Sequence, residues 1–148
     1  MHAREIKKGI EAVCCVHWER RLFDSLIPLP DGTSYNAYLV RGENATALID
    51  TADPVLSADL MGPLQGVEKL DYVVSQHSEQ DHAGLLPDVL ERFPSAKLLC
   101  SEKARDMLTS HLHIAEERIR VVKDGESISL GGKTLTFVYT PWVHWPET

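Results

Sequence analysis

The sequence of 148 residues predicts a single α/β domain. Two observations predict this class: short β-branched runs alternate with amphipathic helical segments, and polar clusters follow directly after some of the runs. The apolar fraction of 43% is sufficient for a hydrophobic core in a chain of this length. We therefore expect a sheet with helices packed on it and functional residues at the carboxyl ends of its strands.

The predicted elements are mainly strands in the first third of the chain and alternate with helices after that. In chain order they are strands at 12–18, 34–40, 46–51, 70–74, 96–100, 119–122, 127–130 and 133–139, and helices at 53–66, 84–93 and 101–111. Runs of Val, Ile, Leu and Tyr identify the strands, and apolar residues at three- and four-residue spacing identify the helices.

The amino-terminal elements begin with a β-branched strand that ends near His17, which we interpret as a strand residue rather than a metal ligand. The stretch 20–32 contains two prolines and a glycine and is predicted to be irregular. The strands at 34–40 and 46–51 flank a short polar segment, which predicts a β-hairpin. Leucines at four-residue spacing predict the helix that begins near Asp53.

The carboxyl-terminal elements have clearer boundaries. Ser101 is the predicted N-cap of a helix that runs towards His111. His111 and His113 form a His-x-His pair, but no carboxylates accompany them, and we do not expect metal ligands there. The dipeptide Gly131–Gly132 predicts a tight hairpin turn between the last two strands.

Composition and charge exclude several classes of function. The formal net charge of −7 argues against nucleic acid or an anionic membrane as a partner. There is no apolar run of about 18 residues and no basic, apolar start, so we expect neither a membrane span nor a signal peptide. Cys14, Cys15 and Cys100 form no Cys-x-x-Cys pair, which favours buried free thiols and a cytoplasmic protein.

The functional signal is a cluster of metal-binding residue types directly after the strand at 70–74. His77, Glu79, Asp81 and His82 fall within six positions, which would be unusual in an ordinary polar loop. An extended loop would direct the first three to one side and leave His82 free to turn towards a second metal ion. Imidazole and carboxylate together suit non-haem iron that binds a small oxidant, whereas zinc hydrolases more often use imidazole or thiolate.

Two further parts of the sequence bear on this site. Asp50 ends a strand, where its carboxylate either orients the metal loop through hydrogen bonds or simply forms a turn. His144 follows a strand, as the first cluster does, and lies in a His-Trp-Pro segment. The adjacent Trp142 and Trp145 either wall the pocket or pack in the core, and core packing is the expected role of at least one of them.

The pattern His-x-Glu-x-Asp-His-x-Gly that begins at His77 resembles the iron-site motif of the flavodiiron proteins. That motif is a variant of the His-x-His-x-Asp-His motif of the metallo-β-lactamase superfamily. The segment 23–51 resembles the opening of the same proteins, and the His-Trp-Pro segment at His144 resembles the context of a further iron-binding histidine. The resemblance implies the first half of a metallo-β-lactamase-like αββα sandwich. Residues 1–148 would be an incomplete di-iron domain without the flavodoxin domain.

Carried onto this sequence, the resemblance implies two metal positions. His77, Glu79 and His144 would bind one iron, and Asp81 and His82 would bind the second. A bridging carboxylate and a final histidine would lie beyond Thr148.

The resemblance also implies an activity and partners. The activity would be reduction of O2 to water or of NO to N2O, with electrons from FMN supplied by rubredoxin or a similar carrier. The family's FMN comes from the other subunit of a head-to-tail homodimer, and this chain shows no flavodoxin-type phosphate loop, so we do not expect it to bind FMN itself. Two alternatives stay open: a metal-dependent hydrolase of the same superfamily, which Glu79 argues against, and an inactive fragment.

Overall fold

The computed structural model describes residues 3–148, and its elements confirm the α/β class. The strands are β1 (Arg4–Lys7), β2 (Ile10–His17), β3 (Leu22–Phe23), β4 (Ile27–Pro28), β5 (Thr33–Arg41), β6 (Thr46–Ile49), β7 (Tyr72–Val74), β8 (Lys97–Cys100), β9 (Ile119–Val121), β10 (Ser127–Ser129) and β11 (Thr134–Thr136). The helices are α1 (Ser57–Leu64), α2 (Gln80–Ala83), α3 (Leu86–Arg92) and α4 (Glu102–Leu112), with 3-10 turns at Pro54–Leu56 and Glu116–Arg118. Within this part of the chain, no helix combines the length and the apolar character that crossing a membrane requires.

Seven strands form one mixed sheet in the order β1-β2-β5-β6-β7-β8-β9. The pairs from β1 to β6 are antiparallel, whereas β6, β7, β8 and β9 run parallel to one another. Each parallel connection carries at least one helix, as parallel pairing requires a crossover. Because parallel strands end at the same edge, the loops that follow β6, β7 and β8 lie side by side.

One face of the sheet is covered by α1, α3 and α4. Leu48, Val73 and Leu98 point to this face from three adjacent strands, since side chains alternate along a strand. They pack with helix residues such as Leu60 and Leu86, and all five are fully buried. This cluster is the main core of the molecule, and it supports the loops at the carboxyl edge from below.

The opposite face of the sheet packs against the β10–β11 hairpin. Ala47 and Leu99 alternate onto this face, where Ile128 and Leu130 cover them. The approach is close at Gly42, in the turn between β5 and β6, because a Cβ atom there would clash with the carbonyl oxygen of Leu130. A glycine is therefore needed at this turn for the hairpin to reach the sheet.

Two predicted segments differ from the structure. The stretch 20–32 is not wholly irregular, because β3 and β4 form a short antiparallel hairpin within it. The metal loop is not extended throughout, because residues 80–83 form the helical turn α2. The predicted cap of α4 is confirmed: Ser101 Oγ accepts a hydrogen bond from the Ala104 N–H at 3.2 Å.

The cysteines are free thiols, as predicted, but Cys14 is exposed and the expectation of burial was wrong for it. Cys15 and Cys100 are buried, and burial raises the pKa of each thiol to about 12. Both therefore stay protonated at neutral pH and are poor metal ligands.

Candidate metal centre

The residues predicted to bind a metal ion, and Asp50 as their expected support, gather at the carboxyl edge of the parallel strands. Asp50 follows β6, His77 and Glu79 follow β7, and His82 lies on α2. His144 reaches the same edge from the loop after β11. Sequence segments that are far apart therefore meet at one place because the strands that precede them are neighbours in the sheet.

One group of potential ligands consists of His77, Glu79 and His144, whose ligand atoms all lie within 4.8 Å of one another. Glu79 Oε2 is 3.3 Å from His77 Nε2 and 3.0 Å from His144 Nε2. The carboxylate thus lies between two imidazoles. Two nitrogen donors and one oxygen donor directed at a common point form a ligand set suited to a divalent first-row metal such as iron.

A second group consists of Asp50, His77 and His82, and here Asp50 acts mainly as a support. Its two carboxylate oxygens accept hydrogen bonds from the backbone N–H and the side-chain amide of Gln76, each at 2.8 Å. Burial raises the pKa of Asp50, and the bonds from Gln76 oppose this effect. Asp50 has a left-handed backbone with φ of 58°, which aspartate tolerates better than most residues. The arrangement agrees with the orienting role considered from the sequence.

Asp81 lies outside both groups but has the environment expected of a metal ligand. It is only 5% exposed, and neither its Oδ1 nor the Nδ1 of His82 has a hydrogen-bond partner in residues 3–148. Burial raises the pKa of Asp81, and the neighbouring carboxylate of Glu79 raises it further. A cation bound here would pair with the free oxygen and favour its ionised form. These unpaired atoms show that the residues present fit a metal ion.

The segment that carries Asp81 and His82 is held by residues that the sequence analysis did not identify. The backbone N–H and the hydroxyl of Thr51 donate to the His82 carbonyl at 2.9 and 2.6 Å, which fixes α2 to the end of β6. Arg20 donates to the Tyr35 hydroxyl at 2.8 Å and to Asp53 at 3.0 Å. The Tyr35 ring meets the His82 ring edge-on, with centroids 5.8 Å apart. No local motif marks Arg20 or Tyr35, because their role arises from contacts made after folding.

The two tryptophans near His144 differ in position. The Trp145 ring lies with its centroid 6.4 Å from that of His77 and 6.3 Å from that of His144, so it walls the site. Trp142 is 74% exposed and contributes neither to the wall nor to the core. Trp145 is only partly buried and belongs to none of the core clusters, so the expectation that at least one of the two packs in the core was wrong.

Glu147 is a further residue that the sequence analysis missed. It is 4% exposed, and its Oε1 accepts a hydrogen bond from the Ser78 N–H at 2.8 Å. Its only signal in the sequence is its place three residues after His144. This contact joins the two loops that carry the first group of ligands.

Among residues 3–148, three other histidines stay outside the groups of potential ligands. His17 is the last residue of β2, His111 lies in the last turn of α4, and His113 is the left-handed C-cap of that helix.

Comparison with known proteins gives matches over most or all of the chain. The profile of the metallo-beta-lactamase superfamily matches residues 30–143. The rubredoxin-oxygen oxidoreductase of Megalodesulfovibrio gigas is 38% identical over 100% of this chain and 37% of its own length. The nitric oxide reductase of Moorella thermoacetica is 39% identical over 97% of this chain and 37% of its own length.

A solved structure agrees with these matches. The flavo di-iron protein of Thermotoga maritima, in a mutant form, superposes with a TM-score of 0.90 at 30% sequence identity. The match covers 99% of this chain and 38% of that protein. This chain thus spans somewhat more than a third of the length of each of these three proteins.

Proposed function

This chain belongs to the metallo-beta-lactamase superfamily, and we propose that it forms the metal-binding part of an oxygen- or nitric oxide-reducing flavodiiron protein. The reaction is reduction of O2 to water, of NO to N2O, or both, at a non-haem di-iron centre. The observation that carries the proposal is the meeting of His77, Glu79 and His144, with the Glu79 carboxylate between two imidazoles.

The first metal position comprises His77, Glu79 and His144. A carboxylate among imidazoles favours iron over zinc, because oxygen donors suit a redox-active iron that keeps open positions for a small molecule. Glu79 has the central role, since its Oε2 lies within 3.3 Å of both imidazole nitrogens. Without a metal ion, atoms at these distances form hydrogen bonds between the Glu79 carboxylate and the imidazoles. A bound cation would replace those hydrogen bonds.

The second metal position comprises Asp81 and His82. The support for it is the unpaired Asp81 Oδ1 and His82 Nδ1, which are buried polar atoms in need of a partner. Asp50 and Thr51 hold this segment in place through Gln76 and the His82 carbonyl respectively. Further ligands to this position belong to the part of the relatives that this chain does not match.

The reactions set the requirements for electrons and protons. Reduction of O2 to two waters consumes four electrons and four protons, and reduction of two NO to N2O and one water consumes two of each. The chemistry that bound iron supplies is electron transfer to these small molecules. The chain's own residues bind the metal, fix the imidazole orientations and wall the site with Trp145. The remaining open side leaves the substrate a path to the ligands.

Electrons would come from FMN. We propose that FMN is held by a flavodoxin domain outside the matched region. It would receive its electrons from a carrier such as rubredoxin. The support is that relatives carry the names rubredoxin-oxygen oxidoreductase and anaerobic nitric oxide reductase flavorubredoxin. A head-to-tail homodimer would bring the flavin of one subunit to the metal site of the other.

Metal analysis combined with gas consumption tests this proposal. The protein, prepared free of metal and exposed anaerobically to equal concentrations of Fe2+ and Zn2+, is expected to retain iron in preference to zinc. When reduced FMN is added, the iron-loaded protein should then consume O2 or NO faster than the same protein loaded with zinc, which measures the uncatalysed reaction of reduced FMN.

The alternative is a metal-dependent hydrolase. Stoichiometric zinc with no iron, together with hydrolysis of an ester or thioester, would establish that function instead. Absence of any bound metal would identify a chain that keeps the fold without the site.

A further inference from the structure

We propose that Glu147 is a positioning residue that holds His144 against His77 and Glu79, so that the first metal position forms. This inference rests on the proposed function, because it concerns the same site. Glu147 is not one of the three potential ligands, and its Oε1 is engaged by the Ser78 N–H. Its role is to set the distance between the two loops that carry them.

The first contact joins Glu147 to the loop after β7. Its Oε1 accepts a hydrogen bond from the Ser78 N–H at 2.8 Å, and Ser78 lies between His77 and Glu79 in the chain. Glu147 is 4% exposed, so this bond from a backbone N–H to a charged acceptor is shielded from water. Bonds of this kind are stronger than those between neutral groups.

The second contact joins the same residue to the start of α4. The Glu147 carbonyl accepts a hydrogen bond from Ser101 Oγ at 2.8 Å. Ser101 is itself buried and caps the helix through the Ala104 N–H. Glu147 is therefore fixed from two directions, by its side chain to the metal loop and by its backbone to the sheet edge.

The loop transmits this position to His144. The Thr140 N–H donates to the Thr148 carbonyl at 2.8 Å, and the Trp142 N–H donates to the Trp145 carbonyl at 2.8 Å, so the loop is closed on itself. The His144 side chain is 64% exposed, and packing alone does not hold it. The position of its imidazole therefore depends on where Glu147 anchors the loop.

Cobalt binding provides the test, because Co2+ bound by imidazole and carboxylate gives visible absorption bands that report the ligand geometry. Glu147→Ala is expected to weaken Co2+ binding about tenfold to hundredfold and to change the band pattern, as loss of a group that orients ligands commonly does. Glu147→Gln keeps an acceptor oxygen at the same place and should retain most of the affinity. Glu147→Asp shortens the side chain and should give an intermediate loss.

Asp71→Ala is the matched control. The Asp71 carboxylate also accepts a backbone N–H, from Thr46 at 2.9 Å, but it lies at the amino end of β7, away from the metal edge. This variant should lower the thermal stability of the metal-free protein without weakening Co2+ binding. A merely structural role for Glu147 would produce the same pattern in Glu147→Ala.

The outcomes separate the inference from the function. Equal Co2+ affinity in the unchanged protein and in Glu147→Ala would overturn the inference and leave the proposed function intact. If Glu147→Ala does not fold, Glu147→Asp decides the question: a Co2+ affinity equal to that of the unchanged protein would overturn the inference. If the unchanged protein binds neither Co2+ nor Fe2+, the proposed function fails and the inference falls with it.

Discussion

Under the proposed function, Glu79 is the residue expected to determine metal identity at this site. Its carboxylate oxygen lies 3.0 Å from His144 Nε2 and 3.3 Å from His77 Nε2, so any ion bound by these imidazoles also meets an anionic oxygen. Carboxylate raises the electron density at the metal and suits iron, whereas a site of imidazoles alone is typical of zinc.

Glu79→His is therefore expected to shift metal preference from iron to zinc. The substitution replaces the oxygen donor by a nitrogen donor of similar reach and removes a negative charge from the centre of the group. Metal content after exposure to equal Fe2+ and Zn2+ measures the change, with Glu102→His, on the exposed first turn of α4, as the control. An unaltered iron-to-zinc ratio in Glu79→His would show that Glu79 does not select the metal.

At the scale of residues, the sequence predicted the potential ligands that lie close together in the chain. It missed the residues whose contacts are distant in the chain. The crowding of four potential ligands in 77–82 is visible without any structure, and His144 was identified only through its resemblance to a known motif. Glu147, Arg20 and Tyr35 were not identified. Each acts through a partner distant in the chain, and a single sequence contains no record of which distant groups will be neighbours.

At the scale of elements, α2 shows where local patterns fail. The loop was expected to stay extended through Asp81, but the His82 and Ala83 N–H groups both donate to the Glu79 carbonyl, at 3.0 and 2.8 Å. A helix of four residues has no room for an apolar period, so nothing in its own sequence predicts it. The turn carries Asp81 and His82, and the His82 ring stays close to the first group of ligands, with its centroid 4.6 Å from that of His77.

The elements that contain a run of apolar or β-branched residues, or a capped apolar period, were predicted well because these patterns are visible in the sequence. The hairpin of β5 and β6, the parallel strands β7 and β8, and the capped helix α4 all lie within a few residues of their predicted bounds. The packing of the β10–β11 hairpin on the sheet was not predicted, since it depends on close approach between segments that are about ninety residues apart.

Gly42→Ala is expected to destabilise the protein by about 1–3 kcal/mol, the usual cost of forcing an added methyl group into a packed contact. The new Cβ would clash with the carbonyl oxygen of Leu130 and push the β10–β11 hairpin away from the sheet. Thermal or denaturant unfolding of the metal-free protein measures the change.

Gly66→Ala is the matched control for this test. Gly66 lies in the turn after α1, and apart from its neighbours in the chain no atom lies within 4 Å of an added Cβ, so the substitution should be neutral or should stabilise the protein by up to about 1 kcal/mol. Equal stability changes in the two variants would contradict the close approach at Gly42.

At the scale of the whole molecule, one group of exposed apolar side chains lies in the segment directly before His144. Val138, Trp142 and Val143 are each at least 70% exposed, and Tyr139 is 36% exposed. We call this the 138–143 patch. It borders a cavity of about 390 Å3 that is lined in part by Val74, Leu99 and Phe137, whose apolar groups face into it. Exposed apolar surface beside an open cavity favours association.

The chain is therefore expected to self-associate at high concentration. Size-exclusion chromatography over a range of concentrations should show species larger than a monomer, and Val138→Lys should move the elution towards the monomer by placing a charge in the patch. Ile6→Lys is the control, since Ile6 is 57% exposed on β1, at the opposite edge of the sheet from β9, whereas Tyr139 of the patch contacts the Val122 carbonyl just after β9. A monodisperse monomer at every concentration would contradict this expectation.

The order of strands in the sheet has a consequence for biosynthesis. A ribosome releases residues 50–82 well before residues 144–147, and domains fold progressively from the amino end as they emerge. The emerging chain can therefore complete β6, β7 and the helical turn that carries Asp81 and His82 while His144 and Glu147 are still within the exit tunnel. The first metal position then has only His77 and Glu79 until the loop that carries His144 emerges. Stable capture of an ion therefore follows translation of this loop and cannot nucleate the fold.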